Sequence, residues 1–411
     1  GSAESALPNS LEHWAAVRPA EVAIVDGPHS VTWGAWNDVS DRLADALKRR
    51  GVGSGDIIAV RTQIRHEWLF VSEAAAKLGC ALLPFNWRLT PAESRHILLD
   101  SAASVLIFDD EDPAAFAPAY EGLGLKAVIS VDNADAGLPT LAALIDEGAP
   151  TPRMSAGRPN LIIYTSGTTG KPKGVAMGDV PQTQEWAEYR QSVREADPQQ
   201  AGARSLLALP MHHGAGPSVC TAALTAGNTV VLMRRFSPEA ALALIESQRI
   251  NHWVTVPTML NRIAALPKEV LDRYDVSSLR SLRTGAAPVP DSLKDWVRSY
   301  FGEVLHEAYG ATEVGMIAHL SPQDMRRKPG SSGKPYRHVR IRIKDEAGKV
   351  MPVGEAGAIW VKSPTVIQRY LNAPLLGRDT IDEDGYFQVG DVGRLDADGY
   401  VYLTDRIKDM I

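Results

Sequence analysis

Short apolar runs separated by amphipathic stretches set the rhythm of the chain from about residue 20 to 150. Ile57-Ile-Ala-Val60 precedes a stretch of helical period from Trp68 to Leu78, and Ala81-Leu-Leu83 follows it. Val105-Leu-Ile-Phe108 and Ala127-Val-Ile-Ser130 resume the strand pattern. Short buried strands alternating with helical periods predict parallel sheets covered by helices. Thr90-Pro-Ala-Glu93 reads as a helix start, with a hydroxyl to cap, a proline in the first turn and a glutamate to close the capping box.

The same alternation returns beyond residue 200. Leu206–Leu209, Thr229–Leu232 and Trp253–Val256 read as strands, and Ser237-Pro238 opens a helix toward Gln248. From about residue 332 the period shortens to alternating strands with turns at Glu346-Ala-Gly348, Asp384-Gly385 and Asp398-Gly399, which predicts a small antiparallel β unit. Asp382-Glu-Asp-Gly-Tyr386 and Asp396-Ala-Asp-Gly-Tyr400 echo each other there. Both lack the third ligand and the closing glutamate of a calcium loop, so they read as Asp-Gly turns. The expected fold class is α/β, with two α/β sheet subdomains and a small antiparallel, barrel-like β subdomain.

At 411 residues the chain exceeds what one core sustains, so two or three packed units are expected. Hydrophobic residues make up 45% and charged residues 22%, the balance of a soluble globular protein. A net charge of −6 with interspersed signs points away from nucleic acid and anionic membranes. Cys80 and Cys220 stand far apart without metal-ligand spacing, which suits buried thiols in a reducing cytoplasm. No apolar run approaches the ~18 residues of a membrane helix. Gly1-Ser2 reads as a cloning scar.

The densest chemical signal is Tyr164-Thr-Ser-Gly-Thr-Thr-Gly-Lys-Pro-Lys-Gly174, directly after the apolar run Leu161-Ile-Ile163. Glycines let backbone N–H groups turn inward, while hydroxyls and lysines add donors, so this loop can wrap a polyphosphate. It lacks the Walker A pattern, and the competing reading is a flexible Gly/Ser/Thr linker. The stretch resembles the phosphate loop of the adenylate-forming superfamily: acyl- and aryl-CoA synthetases, nonribosomal peptide adenylation domains and luciferases. That resemblance implies activation of a carboxylate by ATP through an acyl-adenylate, with release of pyrophosphate and then thioester formation. ATP, Mg²⁺ and coenzyme A are the implied cofactors.

Further motifs extend the resemblance, and with it the implied site. The phosphate loop contributes Thr165, Ser166, Gly167, Thr168, Thr169, Gly170 and Lys173. Tyr309-Gly-Ala-Thr-Glu313 matches the family's Tyr-Gly-x-Thr-Glu; the match puts Thr312 on the α-phosphate and Glu313 on Mg²⁺. A helix cap by Thr312, with Glu313 in the first turn, is the structural alternative. Thr284-Gly-Ala-Ala-Pro288 matches the turn beside adenine, implicating Gly285, Ala286 and Ala287, with Glu307, Ala308, Tyr309 and Gly310 also at the nucleotide. Val389-Gly-Asp391 stands where the family has Thr-Gly-Asp; Asp391 is the implied ribose acceptor, supported by Arg406 fifteen residues on. Lys408 matches the hinge. Pro210-Met-His-His-Gly214 matches the family's Pro-x-Phe-His-x-x-Gly, so His213 borders the carboxylate pocket unless it is a core histidine, and His212 replaces an aromatic. His213, Gly214, Ala215, Ala287 and Met316 form the implied acyl pocket. It offers no acid to pair an ammonium, which disfavours an amino acid substrate.

The catalytic set implied is thus His213, Thr312, Glu313 and Lys173. Domain expectations are an AMP-binding N-terminal domain over 3–405, with α/β subdomains near 3–160 and 180–330 and a β subdomain at 332–405. Residues 406–411 would be the hinge, and the family's C-terminal domain, with its adenylation lysine, lies outside this sequence. The expected partners are a fatty, aryl or alicyclic acid and CoA, in the cytoplasm. The alternatives are transfer to a carrier protein or another nucleophile, and a non-catalytic nucleotide-binding module.

Overall fold

The computed structural model describes residues 6–134, 137–155, 157–165, 170–285 and 287–406, the side chains of Asp405 and Arg406 excepted. The chain folds into two compact units that interleave in sequence: Gly1–Gly178 with Gln200–Arg235, and Asp179–Gln199 with Phe236–Ile411.

In the first unit four parallel strands lie in the order Ala81–Pro84, Ile57–Arg61, Val105–Phe108 and Ala127–Ser130. Ile58, Val105, Leu106, Ile107 and Phe108 have no exposed surface, as expected of strands covered on both faces. The helix Pro91–Ser101 starts with the full capping box between Thr90 and Glu93. Leu161 bridges to Leu82 at the edge of this sheet and leads into the hairpin Ile162–Thr165/Lys173–Ala176. The same unit holds the parallel strands Arg204–Leu207, Thr229–Leu232 and Val22–Asp26, with His29–Thr32 antiparallel to the last. The strand expected over Leu206–Leu209 stops pairing at Leu207, because its partner ends at Leu232.

In the second unit the parallel strands His252–Thr255, Ser281–Gly285 and Leu305–Ala311 are followed by the antiparallel pair Gly315–Leu320 and Lys334–Pro335. Val256 belongs to no strand; it is the extended cap of the helix Pro257–Ala264, whose first proline fixes that start. A continuous polar line crosses the lower ends of these strands. Asp197 accepts from Ser281 at 2.7 Å and pairs His252 at 3.0 Å, while His306 and His319 share a 2.8 Å hydrogen bond.

The strands Arg340–Lys344, Gly357–Lys362, Phe387–Leu395 and Val401–Arg406 form an antiparallel sheet. Its two echoing loops share one geometry. One oxygen of Asp382 accepts from the N–H of Asp384 and of Tyr386, and the other meets Lys344 at 2.7 Å. Asp396 repeats this with Asp398, Tyr400 and Lys328. With each carboxylate filled by donors, these are turns, and Gly385 and Gly399 supply the positive φ (88° and 85°). Among the described residues no helix is long and apolar enough to cross a membrane.

Candidate active site

The phosphate-loop residues begin on a hairpin. Thr165 pairs with Lys173 across its open end, and Gly170 takes a φ of 86° on the way back. Ser166, Gly167, Thr168 and Thr169 lie outside the described residues. The root of the loop is fastened by a residue the sequence reading passed over: the Tyr164 hydroxyl donates to Asp100 at 2.7 Å. Burial and the Asp100 charge both raise the pKa of that phenol, so it remains a donor. The Thr165 hydroxyl is buried and has no partner among the described residues, at the mouth of a loop suited to phosphate.

His212 and His213 follow the strand Arg204–Leu207 and stand just before the helix Ala215–Ala226, which Gly214 caps. Their rings lie 4.3 Å apart. Burial, helped by His213 and Arg88, pushes His212 down to about 4, so it is neutral at physiological pH. Desolvation lowers His213 as well, although its surface within this unit is exposed, which sets it apart from a core histidine.

The second unit assembles the groups read as nucleotide contacts. Thr284 and Gly285 lie opposite Glu307 and Ala308 in register. A side chain on Gly285 would overlap the Ala308 carbonyl oxygen, so glycine is required for the two strands to close up there. Glu307 is buried; Lys294 lies 3.7 Å from one oxygen and Ser332 also faces the carboxylate, while the second oxygen has no well-formed hydrogen bond among the described residues. Burial outweighs that lysine and pushes Glu307 up to about 7. The Thr284 hydroxyl is a second orphaned polar atom beside it. Ala287 is exposed at the end of this strand, and Ala286 lies outside the described residues.

Asp391 arrives from the antiparallel sheet. The ladder between Gly357–Lys362 and Phe387–Leu395 loses register between Ala358 and Trp360, and Gly390 has a φ of 89°. Such a bulge re-aims a side chain. Asp391 accepts from the Tyr309 hydroxyl at 2.6 Å, joining two motifs 82 positions apart. The fifteen-residue spacing to Arg406 is the hairpin register itself, since Asp391 and Arg406 are backbone partners. The Arg406 side chain and all of Lys408 lie outside the described residues.

Thr312 and Glu313 sit in a tight turn between the strands Leu305–Ala311 and Gly315–Leu320, closed by Val314 N–H to Ala311 at 3.2 Å. No helix starts here, so the helix-cap alternative is excluded. Ser363 and Thr365 both donate to the Val314 carbonyl, at 2.7 and 2.6 Å, and Ile367 N–H donates to the Glu313 carbonyl at 3.0 Å. Tyr189 donates to the Met316 carbonyl at 2.8 Å. The Glu313 carboxylate is half-buried beside the Tyr370 phenol; burial and the Glu313 charge push that phenol up to about 12. Among the described residues no cation pairs with Glu313, which leaves a hard, charged oxygen ligand of the kind Mg²⁺ prefers.

The one cluster of described residues spaced to hold a metal elsewhere is Asp26, His66 and Glu67 in the first unit. It is already neutralised. Arg234 binds both Asp26 oxygens at 2.8 and 2.7 Å, and Arg65 pairs Glu67 at 2.6 Å. Burial opposes charging of His66, yet hydrogen bonds to Asp26 and Glu67 prevail and push it up to about 9. A protonated imidazole cannot ligate a cation.

The chain is similar to known proteins along most of its length. Residues 11–371 match the family described as AMP-binding enzyme. An indoleacetate–CoA ligase from Aromatoleum aromaticum is 33% identical over 98% of this chain and 78% of its own length. The amide bond synthetase McbA from Marinactinospora thermotolerans superposes with a TM-score of 0.82 at 29% identity, over 94% of this chain and 77% of that one. O-succinylbenzoate coenzyme A synthetase from Bacillus subtilis, solved with ATP and magnesium ion, gives 0.80 at 29% identity, over 98% and 81%. The phosphate-loop hairpin, the Thr-Glu turn and the family match along most of the sequence identify this chain as a member of the AMP-binding enzyme family, an adenylate-forming, AMP-forming ligase of the class that uses ATP, Mg²⁺ and CoA.

Proposed function

We propose that the chain activates an apolar carboxylic acid as its acyl-adenylate, releases pyrophosphate and passes the acyl group to CoA. The observation that carries this reading is the set of acceptors gathered in the second unit. The Thr284 hydroxyl and one Glu307 oxygen, which lack a well-formed hydrogen bond among the described residues, the Tyr309–Asp391 pair and the Glu313 carboxylate, with which no described cation pairs, share one group of strands and turns. Buried polar groups without partners mark places where a ligand completes the hydrogen bonding. In this reading Asp391 accepts from the ribose hydroxyls, Thr284 and Glu307 face the base, Thr312 donates to the α-phosphate and Glu313 meets the Mg²⁺ of the ATP complex. Thr165, Gly170 and Lys173 hold the β- and γ-phosphates. Metal and donors draw charge from the triphosphate, so catalysis rests on positioning and electrostatics.

His212 and His213 are neutral, and such imidazoles accommodate an uncharged acyl group where an ammonium would lack a counter-charge. A fatty, aryl or alicyclic acid therefore fits better than an amino acid. Likeness to an amide bond synthetase supports a second reading, in which an amine or a carrier thiol takes the acyl group. Calorimetry tests the first step. An acyl-sulfamoyl adenosine should bind at least tenfold tighter than AMP, because base, ribose and acyl contacts act together without a second association cost. Equal affinities would remove adenylate formation as the activity, and a panel of acids with CoA, amines and carrier protein then separates the acceptors.

A further inference from the structure

The turn bearing Thr312 and Glu313 has one closing bond of its own, Val314 N–H to Ala311, and is otherwise braced from a distance. One carbonyl, that of Val314, accepts two side-chain hydroxyls from a stretch about fifty residues downstream, Ser363 and Thr365. The next carbonyl back, that of Glu313, accepts the Ile367 N–H. Gly315 takes a φ of 87°, and a side chain there would overlap the Thr365 hydroxyl and crowd that of Tyr189. The Tyr370 phenol stands beside the Glu313 carboxylate and feels its charge. That tyrosine is itself on a closed loop: Ala373 N–H returns to its carbonyl at 3.1 Å, Leu376 N–H to Gln368 at 2.9 Å, and Arg369 bridges Leu375. A single segment therefore clamps the backbone at Glu313 and sets a phenol beside its carboxylate.

We propose that the segment 363–370 positions the magnesium-binding carboxylate of the ATP site, with the Tyr370 hydroxyl orienting Glu313. The proposal rests on the reading of Glu313 given above. A carboxylate has two oxygens and four lone-pair directions. A phenol donating to one oxygen would restrict the rotation of the group and leave the other oxygen for a cation. Donors behind a metal ligand commonly account for 10–100-fold in metal affinity. Tyr370 is a positioning residue, acting through Glu313 rather than on the substrate.

The test uses this chain, ATP and free Mg²⁺, read by calorimetry. In the parent, Mg²⁺ raises ATP affinity. In Tyr370→Phe that Mg²⁺-dependent gain should shrink about tenfold or more, while affinity for an acyl-sulfamoyl adenosine, which carries no triphosphate and needs no metal, stays within about twofold. An undiminished gain overturns the proposal. So does a parallel loss of acyl-sulfamoyl adenosine affinity, because a general structural role would weaken both ligands. Glu313→Gln separates the layers. If it keeps the Mg²⁺ gain, the reading of Glu313 fails; if it loses the gain while Tyr370→Phe keeps it, only the role of Tyr370 fails. Should Tyr370→Phe not fold, Thr365→Val removes one clamp on Val314 and must show the same split between ligands for the proposal to stand.

Discussion

Asp391 and Tyr309 show how much one residue's role depends on another far along the chain. A lone Gly-Asp reads as a turn; the bulge at Gly390 and the 2.6 Å bond from Tyr309 turn it into an aimed acceptor. Asp391→Ala should weaken nucleotide binding about tenfold or more, since hydrogen bonds to a charged group are worth roughly 1.5–3 kcal/mol. The melting temperature should hardly change, and calorimetry alongside a thermal melt checks both. Unchanged affinity would return Asp391 to a purely structural part. Gly285 was readable as a small residue in a motif, but its reason, the approach of the Ala308 carbonyl, exists only once two strands pair. Tyr370, Tyr164 and Lys294 were given no role by the sequence, although Tyr164 opens the phosphate-loop motif. Their partners Glu313, Asp100 and Glu307 are 13 to 64 positions away, and local patterns do not encode such distances.

Elements were legible where local chemistry decides them. The Thr90 capping box, the strands Thr229–Leu232 and Val105–Phe108 and the Asp-Gly turns follow from caps, apolar runs and glycine. The turn at Thr312 did not follow, because hydroxyl followed by acid suits a helix start equally well, and only pairing of the flanking strands chooses between them. The two histidine sites predict opposite pH limbs. Burial, with His306 nearby, pushes His319 down to about 4, against an ordinary value of 6.5. Its surroundings are His306, Asp197, Arg283, Asp324 and the stacked ring of Tyr336. The unfolded chain takes up that proton first as pH falls below 6.5, so stability drops toward pH 4. His66 is raised to about 9; its stabilisation is complete below 6.5 and is lost as pH climbs through 9. His319→Gln should therefore flatten the acid limb of the melting temperature, and His66→Gln the alkaline one, each by on the order of 5 °C. Melts at half-unit pH steps would show it; identical profiles for both variants would contradict the assignment.

At the scale of the molecule, size and composition foretold more than one core, but not that the units trade segments. Asp179–Gln199 returns to a unit whose remainder begins at Phe236, and apolar periodicity carries no label saying which core a helix joins. Each unit buries its own tryptophans, Trp33 and Trp36 in the first and Trp253 in the second. Chains of this size often unfold in more than one step. Val297→Ala, at a position with no exposed surface, should lower the second unit's transition by about 2 kcal/mol and leave the first unit's unchanged. Calorimetry with single-tryptophan variants resolves this, and one transition shifting as a whole would mean a single cooperative block.

The exchange of segments also bears on how the chain is made. The helix Gln184–Ala196 leaves the ribosome well before the strands it needs: Asp197 waits 84 residues for Ser281, and Tyr189 waits 127 for Met316. At about 5–20 residues per second this is roughly 4 to 25 s. During that interval residues 200–235 complete the first unit while Tyr189, the buried residue of this helix, still lacks its core. Vectorial synthesis thus leaves this helix dependent on sequence made much later, and a pause in translation between residues 199 and 281 would lengthen its wait directly.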